Sequence, residues 1–230
     1  MIRNEEITDI FFDLDHTLWD FDKNSALTFK KIFEMNAIEV NLKEFLFHYE
    51  PINFQYWKLY REDRIDKSSL RYGRLNDAFN AVDYSVSDDT IYRLSEDYID
   101  YLSSFNHLFD HTLEVLDYLN ESYELHIITN GFSEVQQGKL DKSSISHYFK
   151  TVTNSEMVGV KKPNPKIFNH ALNTANTLAQ KSVMIGDNFE ADILGAKDVG
   201  MKVIHFNIHN NNQSNGVLQV KALIDLKQYL

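Results

Sequence analysis

The spacing of apolar residues changes along the chain and divides it into two kinds of sequence. Residues 7–13 (ITDIFFD) form a short apolar run rich in β-branched and aromatic residues, which is typical of a buried strand. Residues 18–105 contain almost no Gly or Pro, and their apolar residues recur at helical spacing. Asn41 and Ser87 stand where two helices of this stretch would begin. The pattern predicts a bundle of about four helices.

After about residue 106, short apolar runs alternate with helical patterns. The predicted strands are residues 125–129, 150–153, 183–186 and 203–206. The predicted helices are residues 112–119, 133–140, 165–175 and 191–199. This alternation predicts a parallel sheet with helices on both faces, and residues 7–13 supply its first strand.

The predicted fold class is therefore α/β, with a Rossmann-like core and an inserted all-α region. We assign residues 1–17 and 106–230 to the core and residues 18–105 to the helical insertion. The Asn-rich segment 207–216 predicts a loop, and residues 217–230 predict a final helix.

Composition limits the classes of partner. The 230 residues carry a formal charge of −11, so a nucleic-acid polymer is not expected as a partner, because phosphate backbones recruit basic surfaces. The absence of cysteine excludes disulfides, thiolate catalysis and cysteine-ligated metals. The sequence begins without the apolar core of a signal peptide, and no apolar run is long enough to span a bilayer. We expect a cytoplasmic protein without a membrane partner, and the sequence leaves its oligomeric state open.

Residues capable of chemistry follow the predicted strands. Ligands bind at the carboxyl ends of strands in open parallel sheets, so these positions matter most. They hold Asp13 and Asp15, then Thr129 and Asn130, then Lys162, and then Asp187 with Asn188 and Asp192 nearby. Each set alone resembles an ordinary turn, but all four in order indicate a functional site.

The carboxylates among these residues predict a cation site. Asp13 and Asp15 lie two residues apart at a strand end, where their like charges repel each other, and Asp187 adds a third carboxylate. Three carboxylates in a chain without cysteine favour a hard, oxygen-preferring ion, and Mg²⁺ suits this donor set best. Lys162 would then neutralise a phosphate or the attacking group.

Four segments together resemble the motifs of the haloacid dehalogenase (HAD) superfamily. These are DLDHT, TNG, KKPNPKIF and IGDNFEAD, in the order of that superfamily. The resemblance covers the whole chain, and residues 18–105 stand where the superfamily has its helical cap. It implies a Mg²⁺-dependent phosphomonoester hydrolase that forms an aspartyl-phosphate and takes a small-molecule phosphomonoester as substrate.

The resemblance implies roles for the acidic residues. Asp13 would be the nucleophile, and Asp15 would be the general acid for the leaving group and then the base for water. Asp187 would bind Mg²⁺ together with Asp13 and the backbone carbonyl of Asp15. Asp192 would act behind the metal ligands or through a metal-bound water, and the role of Asn188 stays open.

The resemblance also implies roles for the remaining polar residues. Thr129 and Asn130 would hold phosphate oxygens. Lys162, rather than Lys161, would bridge the phosphate and the nucleophile, since the lysine of the family precedes the proline. Thr17 would help to fix Asp15.

The same resemblance separates several activities. Asp15 argues against a haloacid dehalogenase, because these relatives lack the second acid. His16 and Thr17 argue against a sugar-phosphate mutase, which often has Gly-Val there. The segment FFDLDHTLWDFDKNS is similar to the bacterial pyrimidine 5′-nucleotidase branch, which implies a nucleoside 5′-monophosphate as substrate. The alternatives are a phosphatase of sugar or glycolate phosphates and a HAD-like ligand-binding protein without turnover.

Six residues of the helical stretch are candidates for contacting a base or sugar. They are Trp19, Phe21, Trp57, Tyr60, Arg71 and Arg74. The aromatic ones are expected more often in the core of the insertion. The two arginines are expected on a solvated face or in salt bridges.

Overall fold

The computed structural model describes residues 7–208 and 216–230 of the chain. Residues 1–6, which we assigned to the core, and residues 209–215 of the predicted Asn-rich loop lie outside the described residues. The chain divides into two compact units. The core unit comprises Met1–Phe21 and Asn106–Leu230, and the helical unit comprises Asp22–Phe105.

Four helices account for most of the helical unit. They are α1 (Phe21–Met35), α2 (Leu42–Arg61), α3 (Lys67–Ala81) and α4 (Asp88–Leu102). Asn41 caps α2, and Ser87 caps α4 through a hydrogen bond from Thr90 N to Ser87 Oγ of 3.3 Å, as the sequence predicted. The interior is aromatic, with the Phe29 ring centroid 4.8 Å from that of Tyr98. The four helices that the sequence predicted in this stretch are confirmed.

Among the described residues of the core unit, six parallel strands form a central sheet in the order β3-β2-β1-β4-β5-β6. Its strands are β1 (Asp9–Phe12), β2 (Glu124–Thr129), β3 (Phe149–Asn154), β4 (Ser182–Gly186), β5 (Lys202–Phe206) and β6 (Leu218–Val220). From β1, the chain first adds β2 and β3 on one side and then β4, β5 and β6 on the other side. Ligands bind at such a switch point in doubly wound sheets. The predicted α/β fold and all five predicted strands are confirmed.

Helices cover the sheet of the core unit. They are α5 (Thr112–Asn120), α6 (Ser133–Lys142), α7 (Ser155–Val158), α8 (Pro165–Ala175) and α9 (Gly195–Asp198). All of β1 is buried, which requires cover on both faces of the sheet. Helices α8 and α9 pack on the face that carries Phe11, Ile128 and Met184.

Two segments of the core unit differ from the sequence prediction. A π-helical turn, Phe189–Leu194, follows β4 and precedes α9, where one α-helix from residue 191 was expected. Near the C-terminus the short strand β6 precedes a 3₁₀ turn, Leu223–Gln228, where a helix was expected. Within the described residues, no helix is both long enough and apolar enough to cross a membrane.

Candidate active site

Asp13 and Lys162 form a buried ion pair at the carboxyl end of β1. The Asp13 N–H donates to the Ile185 carbonyl at 2.9 Å, which continues the pairing of β1 with β4. Lys162 Nζ donates to Asp13 Oδ1 and to the Ile128 carbonyl, each at 2.7 Å, and lies 2.6 Å from Asp192 Oδ1. The Lys162 residue is 2% exposed and Asp13 is 8% exposed. Two hydrogen bonds and the close ion pair with Asp192 hold the ammonium group of Lys162 in place as a fixed positive charge.

The pKa values of these groups reflect burial and an excess of carboxylates. Burial raises the pKa of Asp13 to about 7, Lys162 opposes that rise, and Asp192 adds to it. Burial and the neighbouring carboxylates also raise the pKa of Asp187 well above its usual value. Burial lowers the pKa of Lys162, but Asp13 and Asp192 outweigh this effect and the net shift is upward. Burial is therefore the main cause of both raised pKa values, and the neighbouring carboxylates outweigh Lys162 only at Asp187.

Three carboxylates converge at this point. One oxygen each from Asp13, Asp187 and Asp192 lies within 4.8 Å of the others. The donors are all oxygens, and burial followed by the neighbouring Asp192 and Asp13 carboxylates raises the pKa of Asp187. A hard divalent cation such as Mg²⁺ fits this donor set. The resemblance implied that Asp192 acts behind the metal ligands or through a metal-bound water, and the structure places its carboxylate in the cluster.

Asp192 and Asn188 shape the turn after β4. Asn188 Oδ1 accepts from Ala191 N at 2.9 Å, and Asn188 N donates to Asp192 Oδ2 at 3.0 Å. A Cβ at Gly186 would lie 2.4 Å from Asp192 Oδ2, so this close approach requires glycine. Asn188 therefore caps the π-helical turn, and its side chain is already engaged.

Asn130 holds the backbone of Lys162. Asn130 Oδ1 accepts from Lys162 N at 2.8 Å, and Asn130 Nδ2 donates to the Lys162 carbonyl at 3.0 Å. The resemblance implied that Asn130 would hold a phosphate oxygen, and in the structure its side chain binds the Lys162 peptide. Thr129 Oγ1 accepts from Gln136 Nε2 at 2.6 Å and from Gly131 N at 3.1 Å. Because Thr129 is the acceptor in both bonds, neither uses its hydroxyl proton.

Asp15 is held by two side chains that the sequence did not single out. Lys139 Nζ lies 2.5 Å from Asp15 Oδ1, and Gln136 Nε2 donates to Asp15 Oδ2 at 3.1 Å. Thr17, which we expected to fix Asp15, donates to Asp187 Oδ1 at 3.4 Å instead. The chain turns at His16, whose φ of 59° lies in the left-handed region, between Asp15 and Thr17.

The sequence did carry a signal for Gln136 and Lys139. Both lie on α6, where they are buried together with Val135 and Leu140. These four positions fall on one face of a helix, because residues three and four apart are neighbours there. Gln136 and Lys139 share this face with two apolar residues, which indicates that their side chains are buried and make polar contacts inside the protein.

The six candidates for contacts to a base or sugar differ in burial. Trp19, Phe21, Tyr60 and Arg74 are buried, and Trp57 and Arg71 are half-buried. Arg74 does not lie on a solvated face, contrary to our expectation. Its Nη1 donates to Asn53 Oδ1 at 2.9 Å, and its guanidinium lies 4.9 Å from the Tyr98 ring centroid.

A doubly wound sheet with a lysine and a carboxylate cluster at its switch point defines a class of hydrolase. The family model of haloacid dehalogenase-like hydrolases matches residues 10–206, and the chain belongs to this family. The recognition made from the four sequence motifs is thereby confirmed.

The proteins to which this chain is similar include enzymes with different activities. Pyrimidine 5′-nucleotidase YjjG of Escherichia coli (strain K12) is 31% identical over 225 residues, which cover 96% of each chain. A glyceraldehyde 3-phosphate phosphatase of Pyrococcus abyssi is 35% identical and spans 86% of this chain and 80% of that one. A crystal structure of the HAD-hydrolase YfnB from Bacillus subtilis, bound to magnesium, gives a TM-score of 0.87 at 24% identity. That likeness covers 97% of this chain and 98% of that one, and it shows the fold.

Proposed function

We propose that this hydrolase is a Mg²⁺-dependent phosphatase of small phosphomonoesters that works through an aspartyl-phosphate on Asp13. One observation carries the proposal. Asp13 is buried at the carboxyl end of the central strand, 2.7 Å from Lys162 Nζ, and it shares a cluster with Asp187 and Asp192. A nucleophilic carboxylate, a fixed cation and oxygen donors for a metal are what phosphoryl transfer to an aspartate needs.

In the first step, an oxygen of Asp13 attacks phosphorus and the bond from phosphorus to the leaving oxygen breaks. Asp15 gives its proton to that oxygen, so that an alcohol departs and Asp13 carries the phosphoryl group. Lys162 offsets negative charge at the attacked group. The unused hydroxyl proton of Thr129 is available for a phosphate oxygen.

In the second step, a water molecule attacks phosphorus and gives a proton to the Asp15 carboxylate. The bond between Asp13 and phosphorus breaks, and inorganic phosphate and the Asp13 carboxylate are released. Asp15 thereby regains the proton that the first step removed.

Asp13 and Asp187 would hold the metal, together with the backbone carbonyl of Asp15. A bound Mg²⁺ supplies the positive charge that the carboxylate cluster lacks and lets a phosphate dianion approach it. The magnesium found in the YfnB structure supports this assignment.

The second acid favours phosphatase activity over the alternatives. Asp15 has no role in displacing a halide, because that leaving group needs no proton. A ligand-binding protein without turnover would have no use for a second acid held from both oxygens, as Lys139 and Gln136 hold Asp15.

We propose nucleoside 5′-monophosphates, with a pyrimidine base, as the first substrate class. The similarity to YjjG along nearly the whole chain supports this choice. The helical unit would act as the cap that selects the substrate. A second candidate is a small sugar or glycolate phosphate, which the 35% identity to a glyceraldehyde 3-phosphate phosphatase favours.

A substrate panel tests the proposal. Phosphate release is measured from pyrimidine and purine 5′-monophosphates, glyceraldehyde 3-phosphate and phosphoglycolate, with Mg²⁺ or with excess chelator. We expect the highest kcat/KM on a pyrimidine 5′-monophosphate and no turnover with chelator. A preference for sugar phosphates would overturn the substrate class, and turnover in chelator would overturn the metal assignment.

A further inference from the structure

The two aspartates after β1 each pair with a buried lysine. Lys162 Nζ lies 2.7 Å from Asp13, and Lys139 Nζ lies 2.5 Å from Asp15. The Lys139 residue is only 2% exposed. Burying an ammonium group is costly unless it is paired, so the chain holds this second pair in place at some expense in stability. The mechanism described above uses Lys162 but not Lys139.

Lys139 is held in its orientation by aromatic rings. Its Nζ lies 4.4 Å from the Trp19 ring centroid and 5.5 Å from that of Phe21. The faces of such rings attract an ammonium group, and these rings and the surrounding chain shield it from water. The Lys139 side chain is therefore held in one orientation as a donor to Asp15.

Gln136 holds the other oxygen of Asp15 and links it to the phosphate end of the site. Its Nε2 donates to Asp15 Oδ2 at 3.1 Å and to Thr129 Oγ1 at 2.6 Å. A Cβ at Gly131 would lie 2.1 Å from this nitrogen, so the turn after β2 leaves room for Gln136 only because residue 131 is glycine.

We propose that Lys139 and Gln136 are positioning residues that hold the Asp15 carboxylate in the orientation needed for proton transfer to the leaving group. The inference rests on the proposed phosphatase function. One donor on each carboxylate oxygen fixes both the position and the plane of the group, which a single hydrogen bond would leave free to rotate. Each oxygen keeps a lone pair for the proton that it exchanges with leaving group or water.

The leaving group provides the test. p-Nitrophenolate departs without a proton, whereas the alkoxide of a nucleoside 5′-monophosphate needs one. The variants are Lys139→Met and Gln136→Leu, and the measurement is the rate of the first turnover, in which Asp13 takes the phosphoryl group. Only this step separates the acid role of Asp15 from its later role as a base.

We expect the first-turnover rate on the nucleotide to fall by about 100-fold in Lys139→Met, with a smaller loss in Gln136→Leu. On p-nitrophenyl phosphate we expect a loss below about 5-fold, because no proton transfer is needed there. KM for the nucleotide should change little. Lys139→Arg should recover part of the rate on the nucleotide, since it restores a cation on the same helix face.

Three controls keep the result unambiguous. Lys142→Met changes an exposed lysine on the same helix and should leave both rates unchanged. Asp15→Asn should reproduce the leaving-group dependence of Lys139→Met more strongly. If Lys139→Met does not fold, as judged by near-ultraviolet circular dichroism, Gln136→Leu and Lys139→Arg carry the comparison.

Equal losses on the two esters would overturn the inference and leave Lys139 and Gln136 as structural or phosphate-binding residues. Unchanged rates on both esters would overturn it as well. Failure of the proposed function looks different, since the unmodified protein would then release phosphate from neither ester.

Discussion

The buried cationic side chains of the two units have different kinds of partner. In the core unit, Lys162 and Lys139 pair with carboxylates, at 2.7 Å from Asp13 and 2.5 Å from Asp15. In the helical unit, Arg74 is 1% exposed, and its described contacts are with neutral groups, namely an amide oxygen and aromatic rings.

We interpret Lys162 and Lys139 as charges that serve the chemistry of the site. We interpret Arg74 as a charge that serves the packing of the helical unit. In the core unit, the carboxylates outnumber the cations beside them, and burial raises the pKa of Asp13 to about 7 although Lys162 opposes this rise. Such an imbalance costs stability and is retained where function needs it. Arg74, by contrast, donates to Asn53 and packs against the Tyr98 ring, with no carboxylate among its described contacts.

The largest expected effect is the loss of turnover in Asp13→Asn. We expect kcat to fall by about 10⁴-fold or more, because the amide does not act as a nucleophile. The matched control is Asp141→Asn, which changes an exposed aspartate of the core unit and should leave kcat unchanged. Phosphate release from the best substrate of the panel is the measurement, and a loss under 10-fold would contradict the assignment.

The next effect is on stability, in Lys162→Met. Removing this cation leaves Asp13 and Asp192 buried without their partner, so we expect a loss of about 3 kcal/mol in the free energy of unfolding. Urea unfolding of the metal-free protein measures it, with Lys161→Met as the matched neighbour. Adding Asp13→Asn to Lys162→Met should recover part of the loss. No recovery would show that the two groups are not coupled.

A smaller loss is expected in the helical unit, in Arg74→Met. The free energy of unfolding should fall by about 2 kcal/mol, because Asn53 Oδ1 loses its donor and the guanidinium leaves the Tyr98 ring. Arg93→Met, on the exposed side of α4, is the control and should change little. If adding Mg²⁺ altered the effect of Arg74→Met, the contrast between the two units would fail.

The smallest expected effect is a pH dependence confined to the carboxylate cluster. The pKa of Asp13 is about 7 in the folded chain and 3.8 in the reference state, so folding takes up a proton between these values. The contribution of Asp13 to stability is therefore present at low pH and is lost as the pH rises through 7. Relative to Asp13→Asn, the metal-free protein should lose about 1 kcal/mol or more of unfolding free energy between pH 5 and 8.

Saturating Mg²⁺ should suppress that pH dependence, since the cation replaces the missing positive charge. Arg74→Met should show the same loss at pH 5 and pH 8. A difference between wild type and Asp13→Asn that stays constant with pH would contradict the account of the cluster.

Most of the fold could be predicted from local patterns in the sequence. Helix α8 was predicted at its observed ends, because Pro165 starts it and its apolar residues follow helical spacing. The strand-end rule predicted that Asp13 and Asp187 lie at one edge of the sheet. Lys162 reaches the same edge, although α7 separates it from the end of β3. The strand β6 was missed, since it has only three residues and a polar centre at Gln219.

The parts of the site that were not predicted depend on contacts between distant residues. Gln136 and Lys139 reach Asp15 across 121 and 124 positions of the chain. The contact of the Asn130 side chain with the Lys162 peptide was also not predicted. Local patterns indicate which residues are buried, but not which distant partner each polar side chain will find.

The central claim is that Asp13 becomes phosphorylated, and trapping that species tests it most directly. The protein is mixed with substrate and Mg²⁺, quenched in acid, reduced with borohydride, and digested for mass spectrometry. An acyl phosphate on Asp13 is reduced to homoserine, so we expect homoserine at position 13, and only when both substrate and Mg²⁺ are present. An unmodified Asp13 under active turnover, or a modification at Asp15 or Asp187 instead, would contradict the account.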